Sequence, residues 1–290
     1  MVLRSIAHDD PEIAEIKDRI SPYTKMAESY GFTYQVYLNE SDLVGIAFIG
    51  QEPMQLFKPT GTPLIRFLIL TYDQPMDVLH AFADEVLKLA KAREVDFAYL
   101  NLPAGHDAFT KHLKRIGFQE LANRIEMIRP LDEILKVSDT LRYERVTRED
   151  LTKFGEFMKE FMSGSQDAVL DMILENLLNM PEPFLDHWYK SIQAYFVYHN
   201  DEVIGILDLD SPKSGHINNI GVAPSHRGKG FGTEMLRFCL KLFKEASAEK
   251  ASLGVNATNK PAIHVYEKLG FSVDEHILTY IWWKNPEVLK

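Results

Sequence analysis

Val222-Ala223-Pro224-Ser225-His226-Arg227-Gly228-Lys229-Gly230-Phe231-Gly232-Thr233 joins two unlike segments. Ahead of it, Ile217 to Val222 is a short strand-like run. Behind it, Thr233 to Phe243 carries Met235, Leu236, Phe238, Cys239, Leu240 and Phe243 at helical spacing. A glycine-rich turn that opens a helix suits an anion, because the first helical N–H groups lack intrahelical acceptors and the helix dipole is positive at that end. Glycine lets the backbone approach a ligand without a Cβ clash. Arg227 and Lys229 add positive charge. The pattern points to a phosphate or a diphosphate.

Three loop types compete for this segment. A P-loop requires G-x-x-x-x-G-K-[ST], but Gly232 is followed by Thr233-Glu234. A dinucleotide fingerprint requires G-x-G-x-x-G, whereas Gly228, Gly230 and Gly232 alternate, and no βαβ unit with a ribose-binding acid accompanies them. The third pattern, R-x-x-G-x-G, is met by Arg227, Gly230 and Gly232. With Val222 and Pro224 ahead of it, the segment resembles the acetyl-CoA pyrophosphate loop of the GCN5-related N-acetyltransferases. Downstream, Asn259-Lys260-Pro261-Ala262-Ile263-His264-Val265-Tyr266-Glu267-Lys268-Leu269-Gly270-Phe271 resembles the same family's N-x-x-A-x-x-x-Y-x-x-x-G-F element. Read from its residues, it is a short helix with Asn259 as N-cap, Pro261 in the first turn and Gly270 as a left-handed terminator.

The two halves of the chain echo each other. Phe32 to Phe48 reads strand, polar turn, strand, and so does Ala194 to Leu207; both carry Val-Tyr, an Asn-containing turn and an aliphatic-Gly-Ile strand. Val95 to Leu102, followed by a helix ending Arg115-Ile116-Gly117-Phe118, parallels Ala251 to Val255 and the helix ending Lys268-Leu269-Gly270-Phe271. The expected organisation is α/β (α+β): two tandem acyl-CoA N-acyltransferase-like domains, 1–135 and 141–290, each a twisted, mostly antiparallel mixed sheet flanked by helices. The join falls near Pro130 to Ser138, and Thr147 to Asp150 resembles a capping box opening a helix. Trp282 and Trp283 alternate on a last strand, so one is expected in the core and the other against the neighbouring copy. The first copy has no counterpart of the glycine loop. Thr71-Tyr72-Asp73-Gln74-Pro75-Met76-Asp77 stands in its place, and Leu113 stands where the second copy has Tyr266. Asp73 and Asp77 suit a helix start but repel an anion.

The 290-residue chain is 46% hydrophobic and 26% charged, long enough for two domains. No segment reaches the ~18 consecutive apolar residues of a membrane span, and the first ten residues lack a secretory core and cleavage site. The lone cysteine, Cys239, lies on the apolar face of the helix after the loop. These features make the cytoplasm the expected compartment. A net charge of −10 argues against general nucleic-acid binding and accords with an amine-bearing acceptor. The ten histidines show no metal-ligand spacing.

The resemblance implies an acetyl group passing from acetyl-CoA to a primary amine of a small molecule or peptide, by direct attack in a cleft between two parting strands, here about His216–Val222 and Ala251–Val255. It assigns main-chain groups of Ile220, Gly221 and Val222 to the pantetheine. Those of Arg227, Gly228, Lys229, Gly230, Phe231, Gly232 and Thr233 hold the pyrophosphate, and Asn259 touches the cofactor from across the cleft. Tyr266 is the implied proton donor to the leaving thiolate. Some members carry a glutamate base eleven positions before the loop arginine; here that position is His216. Asp208 and Asp210 alternate toward one face of the preceding strand as candidates for the acceptor's ammonium or for a relay through water. Phe184, His187, Trp188 and Tyr189 precede the second hairpin, as an acceptor-pocket wall or as ordinary helix packing. Two other readings remain open: a non-catalytic acyl-CoA-binding regulatory module, and a related acyl or aminoacyl transferase on the same fold.

Overall fold

The computed structural model describes residues 3–29, 31–52, 61–132, 136–162, 167–177 and 182–286. They form β1 (Leu3–Ala7), α1 (Ile13–Ser29), β2 (Thr33–Asn39), β3 (Asp42–Gln51), β4 (Pro63–Ile69), α2 (Met76–Ala92), β5 (Phe97–Pro103), α3 (Asp107–Arg115) and β6 (Gln119–Pro130), followed by β7 (Arg142–Arg145), α4 (Leu151–Met162), α5 (Ala168–Leu177), α6 (Glu182–Ser191), β8 (Gln193–His199), β9 (Glu202–Leu209), β10 (His216–Val222), α7 (Phe231–Glu245), β11 (Lys250–Asn256), α8 (Lys260–Lys268) and β12 (Ser272–Trp283). No helix among the described residues is long and apolar enough to cross a membrane.

Two compact units result: Met1–Ala122 with Ile277–Lys290, and Asn123–His276. In the first, the strand order is β1-β2-β3-β4-β5-β12. In the second it is β6-β11-β10-β9-β8-β7. Each sheet is antiparallel except for one pair, β4 with β5 and β10 with β11. The expected mixed α/β class is therefore present in both.

The duplication is visible in matching irregularities. Both hairpins shift register at the same place, after Tyr37 in β2 and after Val197 in β8. The turn of the second hairpin places Asn200 and Asp201 at φ 50 and 64, the left-handed pair that a two-residue hairpin turn requires. The glycine of each aliphatic-Gly-Ile strand has the same purpose. A Cβ on Gly45 would lie 2.3 Å from the Phe82 ring of α2, and one on Gly205 would lie 2.9 Å from the Met235 sulfur of α7. Each glycine thus lets a helix side chain press directly on the sheet.

The domain limits differ from the sequence reading at both ends of the second copy. Asn123–Pro130, expected to close the first domain, pairs along β11 from Asn256 to Lys250. Ile277–Trp283, expected to close the second, pairs along β5 from Pro103 to Phe97. Apolar alternation marks a strand with one buried face but does not name its partner. Packing does: Ile125 and Met127 share a core with Met235 and Leu240, whereas Tyr280 shares one with Phe67, Phe82 and Phe118. Both tryptophans accordingly pack within the first unit, Trp282 beside Tyr280 and Trp283 with Leu64, Phe97 and Ile281. Residues 133–135 of the expected join lie outside the described residues.

Candidate functional site

In the second unit, β10 and β11 pair only at His216 with Ser252 and Ile217 with Leu253. Beyond these pairs the strands part. β10 stays bonded to β9 through Val222 and Gly205, and β11 to β6 through Asn256 and Arg124. A cavity of about 730 Å³ occupies the opening. Its walls come from α4 and α5, β10, the loop into α7, β11, and α8, with Arg124 of β6.

The loop is built as an open cradle. Gly228 and Gly230 have φ of 75 and 87, and a Cβ on either would meet nothing within 4 Å. Both line the cavity, as do Phe231, Gly232 and Thr233 in the first turn of α7. Gly230 is the N-cap of α7 and contributes no side-chain cap. The amides of that first turn therefore lack intrahelical acceptors and lie on the cavity wall, which fits a diphosphate. The helix itself forms because Met235, Leu236, Cys239, Leu240 and Phe243 bury one face.

The two loop cations do not share this wall. Arg227 lines the cavity, but its guanidinium donates to Val222 O at 3.1 Å and to Phe161 O at 2.9 Å, so it ties the loop to the end of α4. Lys229 is exposed and outside the cavity lining. The anion site thus consists of backbone N–H groups. Ile220, Gly221 and Val222 line the cavity as expected.

Tyr266 and Asn259 reach the cavity from α8. The Asn259 side chain accepts from Ala262 N at 3.3 Å and fixes the start of the helix, the N-cap role read from the sequence. Gly270 terminates the element at φ 83. Tyr266 is 8% exposed and packs in the core with Cys239 and Phe271. Burial, with the neighbouring Cys239 sulfur in second place, pushes its phenol up to about 12, so it keeps its proton at neutral pH. Its counterpart Leu113, four residues before Gly117, is fully buried in the first unit's core.

Three expected polar residues stand elsewhere. His216 lies in the paired part of β10, outside the cavity lining, with Nδ1 2.9 Å from Ser252 Oγ. Asp208 is 1% exposed and accepts from Asn219 Nδ2 at 2.9 Å and from Asn218 Nδ2 at 3.2 Å. Asp210 accepts from Asn218 Nδ2 at 2.9 Å. Neither carboxylate lines the cavity; Asn218 and Asn219 do, and stand between them and it. Burial pushes Asp208 up to about 6, against the two asparagine hydrogen bonds, which lower it, and with the charge of Asp210, which adds to the rise.

Asn218 and Asn219 were not singled out from the sequence. Consecutive strand residues point to opposite faces, yet both asparagines reach Asp208. The register of β10 on β9 shifts between Ile217 and Asn219, and this bulge brings the two side chains together. The signal was the doubled polar step in Ile217-Asn218-Asn219-Ile220, which breaks strict alternation. Arg124 was also missed, because β6 read as the end of the first copy. Of the aromatic run before the second hairpin, Trp188 and Tyr189 pack with the core around Phe154 and Phe196, and His187 is exposed. The Phe184 side chain lies outside the described residues. No group of His, Cys, Asp and Glu among the described residues is arranged to hold a metal ion.

Comparison with known proteins converges on one family. The Acetyltransferase (GNAT) family matches residues 165–271. A mycothiol acetyltransferase of Corynebacterium glutamicum (strain R) is 35% identical over 95 residues; the match spans 32% of this chain and only 32% of that protein. An N-alpha-acetyltransferase of Sulfurisphaera tokodaii is 34% identical over 123 residues, which span 35% of this chain and 74% of the relative. Among solved structures, a GCN5-related N-acetyltransferase from Sphaerobacter thermophilus aligns with a TM-score of 0.60 at 11% identity, over 87% of this chain and 81% of that one. A tandem GNAT protein from the clavulanic acid biosynthesis pathway aligns with a TM-score of 0.59 at 14% identity, over 98% and 99%. These structures share the fold, and the family match falls on the second unit, where the parted strands, the glycine cradle and the α8 tyrosine all lie. The chain belongs to the Acetyltransferase (GNAT) family.

Proposed function

We propose that the chain is an acetyl-CoA-dependent N-acetyltransferase acting on a primary amine, with its active site in the second unit. The observation that carries this reading is the shared cavity: the amide cradle of α7, the parted edge of β10 and the Tyr266 side chain line one space. Acetyl-CoA, when bound, supplies a thioester whose acyl carbon the amine attacks and whose thiolate leaves. The first-turn amides of α7 hold its diphosphate, and Gly228 and Gly230 keep the approach free of side chains. The cavity-facing edge of β10 offers main-chain groups to the pantetheine amides, in the manner of an added strand. Tyr266, protonated because it is buried, donates to the departing sulfur. His216, Asp208 and Asp210 do not line the cavity, so none of the three is assigned as the base that deprotonates the acceptor. The first unit lacks the cradle and the tyrosine and serves as a scaffold.

The test is isothermal titration with acetyl-CoA, followed by thiol release across a panel of primary amines. One site per chain and amine-dependent release of CoA are expected. Binding without release from any amine would reduce the protein to an acyl-CoA-binding module. No binding at all would remove the cofactor assignment.

A further inference from the structure

Ile125 and Met127 of β6 pack in the core with Met235 and Leu236 of α7, so Arg124 and Glu126 face the other side of the sheet. Gly254 of β11, between the core residues Leu253 and Val255, leaves room for them: a Cβ there would lie 2.5 Å from Arg124 Nη2 and 2.6 Å from Glu126 Oε1. This is the face on which α4 lies, since a Cβ on Gly221 would meet Phe161 and Met162. It is also the face of Asp208, whose neighbours Leu207 and Leu209 turn toward the α7 side.

The charged groups on the cavity wall divide sharply. Arg227 is held by two carbonyls. Asp167 accepts from Leu170 N at 3.1 Å and caps α5. The His226 ring stands 3.8 Å from Glu202. Arg124 has no ion pair or hydrogen bond among the described residues, and its Nε is buried without an acceptor. Glu126 Oε1 shares the space over Gly254 with Arg124 Nη2 but makes no ion pair with it among the described residues, so the guanidinium still lacks a bonded acceptor, which an incoming planar anion supplies to its side-by-side N–H donors.

Arg124 and the phosphate cradle line one cavity from different elements. The strand order β6-β11-β10 puts β11 between Arg124 and the strand that leads into the loop, and Arg124 lies on the opposite face from α7. Asn218 and Asn219 line the same cavity. Both give their Nδ2 groups to the acceptor-only carboxylate of Asp208, so their side-chain carbonyls turn away from it. Two amide oxygens suit the N–H groups of an amine.

From this placement we infer that the acceptor is a zwitterionic amine: its nitrogen lies at the Asn218 and Asn219 carbonyls and its carboxylate at Arg124. The inference rests on the acetyltransferase reading for the reaction but not for the binding. It places the acceptor's ammonium group at the asparagines rather than at Asp208 and Asp210, since both carboxylates are engaged by asparagine.

The test is calorimetric binding to the protein, alone and with CoA. The probes are a chain-length series of ω-amino acids from glycine to 6-aminohexanoate, each against its methyl ester, with O-phosphoethanolamine as a further arm. The variants are Arg124→Gln and Arg124→Lys, each checked by thermal melting and by its CoA affinity. At least one acid is expected to bind tenfold or more tightly than its ester. Arg124→Gln is expected to bring that ratio near one with CoA affinity unchanged, and Arg124→Lys to fall between. Equal binding of acid and ester throughout the series, or binding by no acid, overturns the inference. Preference for O-phosphoethanolamine over every carboxylate overturns the carboxylate assignment, and loss of CoA affinity in Arg124→Gln moves Arg124 to the cofactor. If acids bind selectively but no amine is acetylated, the acceptor site stands and the enzymatic reading falls.

Discussion

Ile217 of β10 and Leu253 of β11 are the last residues at which these parallel strands face each other. From Asn219 onward β10 keeps its pairing with β9, but no strand among the described residues pairs with its other side, so a row of backbone polar groups lines a cavity. Such an edge requires a partner. Hydrogen exchange with and without acetyl-CoA reads this directly. Peptides spanning Asn218 to Thr233 are expected to slow on addition of the cofactor, while Leu64 to Leu70 of the first unit stays unchanged. Equal slowing in both segments would mean two cofactor sites and would contradict the scaffold role of the first unit.

Gly230 lines the cavity and combines a left-handed backbone, φ 87, with open space along its Cβ direction. Gly230→Val is expected to weaken acetyl-CoA binding about a hundredfold, since a branched side chain would stand where the diphosphate rests. Gly105 is the control: φ is 98 and its Cβ direction is equally open, but it lies in the first unit. Gly105→Val carries a similar backbone cost of about 1–2 kcal/mol and should leave cofactor affinity intact. Equal affinity in the two variants would show that the loop does not hold the cofactor.

Tyr266→Phe keeps the ring in its core position and removes only the hydroxyl. The cofactor dissociation constant should stay within about threefold, while kcat falls about a hundred- to ten-thousandfold, the range for a lost general acid. An unchanged kcat would leave Tyr266 as packing alone.

The cradle, α8 and both hairpins were legible because their signals are local. Glycines at fixed offsets, an Asn-Lys-Pro start and an alternating strand before a turn each constrain a few consecutive residues. The partners of β6 and β12 were not legible, because a strand's alternation says which face is buried and nothing about which edge it joins. The acceptor side suffered from the same blindness: Arg124 reaches the cavity only because β6 pairs with β11. His216 misled for another reason. Counting residues back from the loop passes over the bulge at Asn218, which shifts every earlier position along β10 relative to the cavity.

Ile281 tests the division of the chain into units. It is fully buried with Leu64, Phe97 and Trp283, and its backbone pairs with Tyr99. Ile281→Ala should cost about 2–5 kcal/mol, although it lies nine residues before Lys290. The loss should appear as faster hydrogen exchange in β4 and β5, with protection of β10 and β11 retained. Loss of protection in β10 and β11 instead would return β12 to the second domain, as the sequence alone suggested.

Asp208 links stability to pH with a definite sign. Its carboxyl is raised to about 6 from an ordinary 3.8, so between those values the folded state binds its proton more tightly than the unfolded chain does. Its contribution to stability is therefore greatest below pH 4, declines as pH rises toward 6, and is constant above. Asp208→Asn removes the titration. Urea midpoints from pH 4 to 7.5 should show the variant gaining on the native protein by about 3 kcal/mol across the lower part of that range, then running parallel. Acceptor binding should follow the opposite course in the native protein. Ionised Asp208 holds the Nδ2 groups of Asn218 and Asn219, and its protonation below pH 6 releases that orientation, so the affinity for a zwitterionic amine should rise through pH 6 and flatten by pH 7. In Asp208→Asn that rise should vanish. Stability curves parallel at every pH would show that Asp208 titrates at its ordinary value. An acceptor affinity flat from pH 5 to 7 in the native protein would detach the asparagine pair from the amine.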